Sequence, residues 1–298
     1  MRTSRSDRRA AAGFLAPFVL LFAAFFVLPI GYAIYQSLLT VQRTGPLGLG
    51  GSRTVFAGLS NYQAALTDNA FTDSVLRVLI FATVQVPVMI ALAILLALLL
   101  DAAAARGVPL FRSAYFLPYG VPGVIASILW GFLYVPGVSP IVDLLDSVGL
   151  DADFLGSGSV LWAIANIVTW EFAGYNMLVV VAQLKSINTD LYEAARIDGA
   201  NAWHTIRYVK LPLIRPAIVL TTVFTIIGTL QLFAEPLVLR PVSTAINTSY
   251  TPNLAAYTQA FVNNSYSLAA AQSVLLAVAA CVLSFGFLHL VGRKGDDR

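Results

Sequence analysis

The sequence predicts an all-α, polytopic membrane protein with six transmembrane helices. Three observations predict it. Of the 298 residues, 58% are hydrophobic and only 11% charged, against roughly half and a quarter in soluble domains. The apolar residues come in long blocks, which gives a mean hydropathy of +0.78. Basic residues gather on alternate connections between those blocks, the bias that orients helices in a bilayer. A soluble enzyme, a disordered tail and a secreted disulfide scaffold are excluded. The only cysteine, Cys281, lies inside an apolar block, so neither an intramolecular disulfide nor a cysteine-rich metal site is available. A net charge of +3 bears on membrane orientation and calls for no nucleic-acid partner.

A spanning helix needs about 20 mostly apolar residues to cross roughly 30 Å of hydrocarbon. Six stretches qualify: Gly13–Leu38, Val75–Leu100, Ala114–Val135, Val160–Leu184, Leu213–Phe233 and Leu268–Val291. The first follows Arg2, Arg5, Arg8 and Arg9. Its apolar run is too long for a signal peptide and no small-residue cleavage site follows it, so it reads as a retained helix. In the third, Pro118, Gly120, Pro122 and Gly123 interrupt the helical ladder and imply a kink or hinge. With the N-terminus inside, all but Arg43, Arg53, Arg77 and Arg240 of the 18 basic residues fall on the inner side, which places both termini in the cytoplasm. The chain then divides into a tail (1–12), a transmembrane body (13–291) and a second tail (292–298). The short outer connections, 40–74, 136–159 and 234–267, leave no room for a large soluble domain, and Glu235 is assigned to the outer surface.

One inner connection is more than a linker. Residues 185–216 read KSINTDLYEAARIDGANAWHTIRYVKLPLIRP. Asp190 and Glu193 have capping-box spacing, so a short helix is expected to start at Asp190. Gly199 supplies the left-handed backbone that ends it. A second helix is expected from Ala202 to about Val209, with Pro212 in the first turn of the next span. Leu191, Ala194, Ala195 and Asp198 share one face, where small residues allow close approach of another surface. An interfacial helix anchored by Tyr192, Trp203 and Tyr208 fits the same periodicity.

The ordered residues Glu193-Ala194-Ala195, Gly199 and Leu211-Pro212 resemble the EAA loop of bacterial ABC importer permeases, in particular the carbohydrate, maltose-type branch. Span count, topology and length agree, so the resemblance covers nearly the whole chain. It implies an ABC importer permease fold in the bacterial cell membrane. It also implies that Glu193, Ala194, Ala195, Asp198, Gly199, Leu211 and Pro212, within a coupling loop at 185–212, dock on a cytoplasmic ATPase. The expected partners are a second homologous permease (a heterodimer), two ATP-binding subunits, an extracytoplasmic solute-binding protein, the lipid bilayer and a sugar. ATP and Mg belong to the ATPase. This chain has no G-x-x-x-x-G-K-[ST] phosphate loop, and no cofactor, metal or catalytic residue is assigned to it.

Polar residues inside spans are costly and invite a functional reading. Trp170, Glu171, Tyr175 and Asn176 in the fourth span, with Thr229 and Gln231 in the fifth, combine ring faces with hydrogen-bonding groups. That mixture suits a sugar, whose C–H faces stack while its hydroxyls need partners. Packing roles for Trp170 and Tyr175, and an interhelix hydrogen bond for Asn176, fit the sequence as well. Glu171 fits a contact to a partner subunit too. The segment from Arg240 to Pro252 departs from the family pattern, which has a glycine-glycine-proline stretch there. A self-contained carrier with Glu171 as its proton-coupling carboxylate is the second reading. A membrane enzyme is the third, and it lacks a His, Asp or Cys cluster, since His204 and His289 fall in separate segments.

Overall fold

The computed structural model describes residues 5–43, 51–102 and 105–296. Arg2 and Arg298, counted in the charge bias, lie outside them, as do the side chains of Arg5, Arg8, Arg9, Arg43, Arg293 and Lys294. Five described helices are long and apolar enough to cross a membrane: Ala12–Ser37, Asn69–Leu100, Val160–Lys185, Arg215–Leu239 and Tyr266–Val291. A sixth candidate is a broken pair, Val108–Gly120 and Gly123–Tyr134, bent by 99°. The bend falls at the kink or hinge that Pro118, Gly120, Pro122 and Gly123 imply. Pro118 and Pro122 cannot donate backbone hydrogen bonds, and Val121 and Pro122 take extended ψ values of 125° and 134°, so the ladder stops and restarts at Gly123. The fifth span is interrupted too: its main helix ends at Leu230, and a short helix, Ala234–Leu239, follows.

A Leu-Pro pair widens the helix at two further places. Residues Ala23–Val27 and Thr205–Lys210 are π-helical, and each run is followed by Leu-Pro, at Leu28-Pro29 and Leu211-Pro212. Leu28 N–H donates to Ala23 O and Leu211 N–H to Ile206 O, both five residues back. A proline ring clashes with the carbonyl four residues before it, and one wide turn relieves the clash while keeping the helix continuous.

The described residues fall into two compact units, Met1–Thr72 with Ala255–Ala277 and Asp73–Leu254 with Val278–Arg298. In the first, strands β1 (Leu39–Arg43) and β2 (Ser52–Phe56) form an antiparallel hairpin with Leu39 opposite Phe56, the one departure from an all-α fold among the described residues. Asn61 Nδ2 donates to the carbonyls of Ser37 (2.8 Å) and Leu39 (2.7 Å), fixing the hairpin to the end of the first span. In the second unit, the fourth span is the central post. Its buried Val160, Ile164 and Ile167 pack with Phe81, Met89 and Leu239. Nearer the 185–212 loop, Met177, Val180 and Leu184 pack with Ala93, Ala97 and Ile214.

Lipid is as apolar as leucine, so fit and interhelix hydrogen bonds hold such a bundle. Gln85 Nε2 donates to Thr169 Oγ1 at 2.7 Å, a bond of a kind worth roughly 0.6 kcal/mol on average. Gly174 permits the closest approach. A Cβ there would overlap the carbonyl oxygen of Tyr115 on the bent span. Gly174→Val is therefore expected to destabilise the bundle by about 1–3 kcal/mol or more. Thermal unfolding of the detergent-purified chain checks this; an unchanged Tm would show that the bent span does not press on Gly174.

Candidate functional site

The 185–212 loop folds as two capped helices. The first runs Thr189–Ile197, and its N-cap is Asn188 rather than the expected Asp190. Asn188 has extended backbone (ψ 131°), and its Oδ1 accepts from Asp190 N–H at 3.0 Å. Asp190 is thus already in the first turn, where its charge complements the helix dipole. At the other end Ala200 N–H donates to Ala195 O (2.9 Å) and Gly199 N–H to Arg196 O (3.0 Å). This reciprocal pair requires positive φ at Gly199, which is +77°. Asn201 caps the second helix, its Oδ1 accepting from His204 N–H at 2.9 Å. That helix begins at Ala202 and continues as the π-helical turn through Lys210.

Asn188, Gly199 and Asn201 thus close the ends of the two loop helices with local bonds. Glu193, Ala194, Asp198 and Gly199 are exposed and Ala195 is half-buried; farther along, Leu211 is half-buried and Pro212 exposed. Ile197, Trp203 and Tyr208 add exposed apolar area. Tyr192, by contrast, turns inward with its hydroxyl buried. A surface of carboxylates, Asp190, Glu193 and Asp198, among small and apolar groups suits a protein partner with a complementary groove.

A second feature is a cavity of about 500 Å³ in the second unit, between the third, fourth and fifth spans. Tyr175, Asn176, Thr229 and Gln231 line it, as expected from sequence, together with Tyr119, Phe172, Phe224, Thr225, Gly228 and Glu235. Tyr119 stacks on Tyr175 with centroids 4.8 Å apart and meets Phe172 edge-on at 5.8 Å. Asn176 Nδ2 donates to Thr225 Oγ1 at 3.3 Å and approaches Met89 Sδ at 3.2 Å. Thr229 Oγ1 is buried without a hydrogen-bond partner.

Two of the sequence candidates sit outside the lining. Trp170 meets Trp130 edge-on at 5.9 Å and packs on the core behind the cavity. Glu171 is buried, with Oε2 unpartnered, on the side facing Gly123, where the bent span restarts. Glu235 corrects the expectation of an outer-surface position: it is 8% exposed and lines the cavity. The break at Gln231–Phe233 turns the chain so that a residue past the end of the main helix points back into the protein. Tyr119, in the broken Leu117–Gly120 turn, was missed for the same reason. Helical periodicity does not extend through a break.

Known proteins share this architecture. The family model described as "Binding-protein-dependent transport system inner membrane component" matches residues 55–294. The trehalose transport system permease protein SugA of Mycobacterium tuberculosis is 32% identical over 289 residues, covering 96% of this chain and 90% of that one. The lactose transport system permease protein LacF of Rhizobium radiobacter is 33% identical, with coverages of 91% and 90%. The sn-glycerol-3-phosphate transport system permease protein UgpA of Agrobacterium fabrum is 32% identical, also over 91% and 90%. Among solved structures, a chain of a bacterial ABC transporter that imports the acidic polysaccharide alginate superposes with a TM-score of 0.82 at 22% identity, covering 97% of this chain and 96% of that one.

Gly228 offers a direct test of the cavity. A Cβ added there meets nothing within 4 Å, so Gly228→Leu is expected to fill cavity space and leave Tm unchanged. Binding or uptake of the cargo should fall about tenfold or more, one lost contact set of roughly 1.4 kcal/mol. Undiminished transport by a stable Gly228→Leu protein would remove the cavity from the pathway.

Proposed function

The chain belongs to the family of binding-protein-dependent transport system inner-membrane components, a permease and not an enzyme, and from that premise we propose that it forms half of the pathway of an ATP-driven ABC importer for an uncharged sugar or small oligosaccharide. The observation that carries the importer reading is the 185–212 loop, capped at both helices and exposing Glu193 and Ala194. A self-contained carrier has no use for a pre-formed protein dock. Glu193 is the acidic contact to the ATPase, Ala194 and Ala195 the close-packing face, and Asp198 and Gly199 the turn. Leu211 and Pro212 carry the push into the fifth span. ATP and Mg act on the ATPase pair, whose closure rocks the spans as rigid bodies between inward and outward access.

The remaining assembly follows the family. A second, similar permease supplies the other half of the pathway as a heterodimer partner, two ATPases bind from the cytoplasm, and a solute-binding protein delivers cargo outside. Both termini are then cytoplasmic, the body spans 13–291 in the bacterial cell membrane, and 1–12 and 292–298 are tails.

The cavity supports an uncharged polyhydroxylated cargo. Tyr119, Tyr175 and Phe172 give ring faces for C–H stacking. Asn176, Thr229, Gln231 and Glu235 give hydroxyl partners, and Thr229 Oγ1 has a bond still to make. Glu235 is the one carboxylate in the lining. No lysine, arginine or histidine lines the cavity. Among relatives named for trehalose, lactose and glycerol phosphate, this lining favours the neutral sugars, because a phosphate would be buried without a counter-ion. Trp170 and Glu171 then back the site from behind the lining.

Two measurements test these readings. Mild-detergent capture of the tagged chain from its host is expected to recover an ATPase, and Glu193→Ala should weaken that recovery about tenfold without loss of membrane insertion. Full recovery with Glu193→Ala would remove the docking argument. In proteoliposomes of the captured complex, ATP-dependent uptake of trehalose or lactose should exceed that of sn-glycerol-3-phosphate. The reverse order would overturn the assignment of an uncharged cargo.

A further inference from the structure

One cluster of charged and aromatic side chains in the second unit has no part in the cavity or in the exposed dock. Lys210 Nζ lies 2.6 Å from Asp101 Oδ2, the one ion pair among the described residues, with side chains 13% and 23% exposed. The same ammonium stands over the ring of Tyr192, 5.5 Å from its centroid. The Tyr192 hydroxyl is buried without a hydrogen-bond partner. Burial, reinforced by the Asp101 charge, raises its pKa above the usual phenol value, so the ring stays neutral beneath the cation. Three elements meet here. Asp101 immediately follows the second span at Leu100, Tyr192 sits on the first loop helix beside Glu193, and Lys210 ends the π-helical turn.

The placement of Asp101 is unfavourable for a helix alone. A carboxylate at a helix C-terminus opposes the dipole, and Asp101 N–H still donates to Ala97 O at 3.0 Å, so the residue belongs to that last turn. Lys210 supplies the compensating charge from another element. The wide turn forced by Pro212 lies between Thr205 and Lys210 and ends at that lysine. A half-buried pair is screened less by salt than a surface one, and a cation over an aromatic face gains further when water is excluded.

We propose that Asp101, Lys210 and Tyr192 form a clasp that passes displacement of the loop to the end of the second span, so that the second span moves with the dock as well as the fifth. Asp101 and Lys210 are positioning residues: they touch neither cargo nor nucleotide and act through the helices they join. The clasp rests on the reading of the 185–212 loop as an ATPase dock.

The test uses the complete transporter with its partner subunits in proteoliposomes. Cys281 is replaced by serine, and spin labels are placed at Leu99→Cys and Arg207→Cys, both exposed positions. Distances are measured by pulsed electron resonance without nucleotide and after trapping with ATP and vanadate. With the clasp intact the separation is expected to be the same in both states. Asp101→Asn or Lys210→Met should let it change between states by roughly 2–5 Å, the size of a helix shift or ratchet. Exchanging the charges, Asp101→Lys with Lys210→Asp, should restore the constant separation. A native separation that changes between states, a constant one in the single variants, or failure of the exchange to restore it would each overturn the clasp. ATPase content, measured in the same samples, separates the two ideas. A native chain without bound ATPase sinks the docking reading and the clasp with it; bound ATPase with fixed distances in Asp101→Asn sinks the clasp alone.

Discussion

A bilayer core offers no water to unpaired N–H and C=O groups, and most of the architecture follows from that constraint. Each unsatisfied backbone group costs several kcal/mol in hydrocarbon, so a chain crosses as helix, and irregular backbone survives only inside protein or along a cavity. Two interruptions at membrane-spanning segments obey this rule in the same place. The third span breaks around Leu117–Pro122 and the fifth around Gln231–Phe233, and Tyr119, Gln231 and Phe233 all line the same cavity of the second unit. The breaks and the cavity explain each other. Freed backbone groups need a polar, protein-enclosed space, and that space is created where the helices part.

Proline is handled in two ways, and the difference has mechanical weight. At Leu28-Pro29 and Leu211-Pro212 the helix widens by one residue and continues past the proline, to Ser37 and to Leu213. At Pro118 and Pro122 the helix stops and restarts with a 99° turn, helped by Gly120 and Gly123. Helical backbone is kept through Leu211-Pro212, and a single turn residue, Ile214, stands before the fifth span's helix at Arg215. Helical backbone is abandoned where the cavity needs a wall that helices running in parallel cannot make.

How much of this could be read from sequence depended on whether the signal was local. Span positions and the loop's two helices were legible because apolar length, Gly199 and the Leu-Pro pair act within a few residues of themselves. Even there the cap was misplaced by two residues. Asp190 and Glu193 fit the capping-box spacing, yet Asn188, with extended backbone and a side chain of the right reach, takes the role. Part of the cavity was legible, since Tyr175, Asn176, Thr229 and Gln231 stand out as polar residues within apolar runs. Glu235 and Tyr119 were not, because each lies beyond a break and only the bend brings it back to the lining. Asp101 and Lys210 carry no sequence signal at all: 109 positions separate them, and each reads alone as an ordinary charge at a helix end.

The two functional regions differ in how fully their polar groups are satisfied, and the difference suits their tasks. In the loop, Asn188, Asn201 and Gly199 close the helix ends with short, local bonds. In the spans, Thr229 Oγ1 and Glu171 Oε2 are buried with bonds unmade, a state that costs about 1–3 kcal/mol for each neutral group. A bundle that had only to stay folded would gain by filling those positions with apolar side chains. In the proposed function Thr229 Oγ1, which lines the cavity, makes its missing bond to a hydroxylated guest, so the empty site is the less satisfied one.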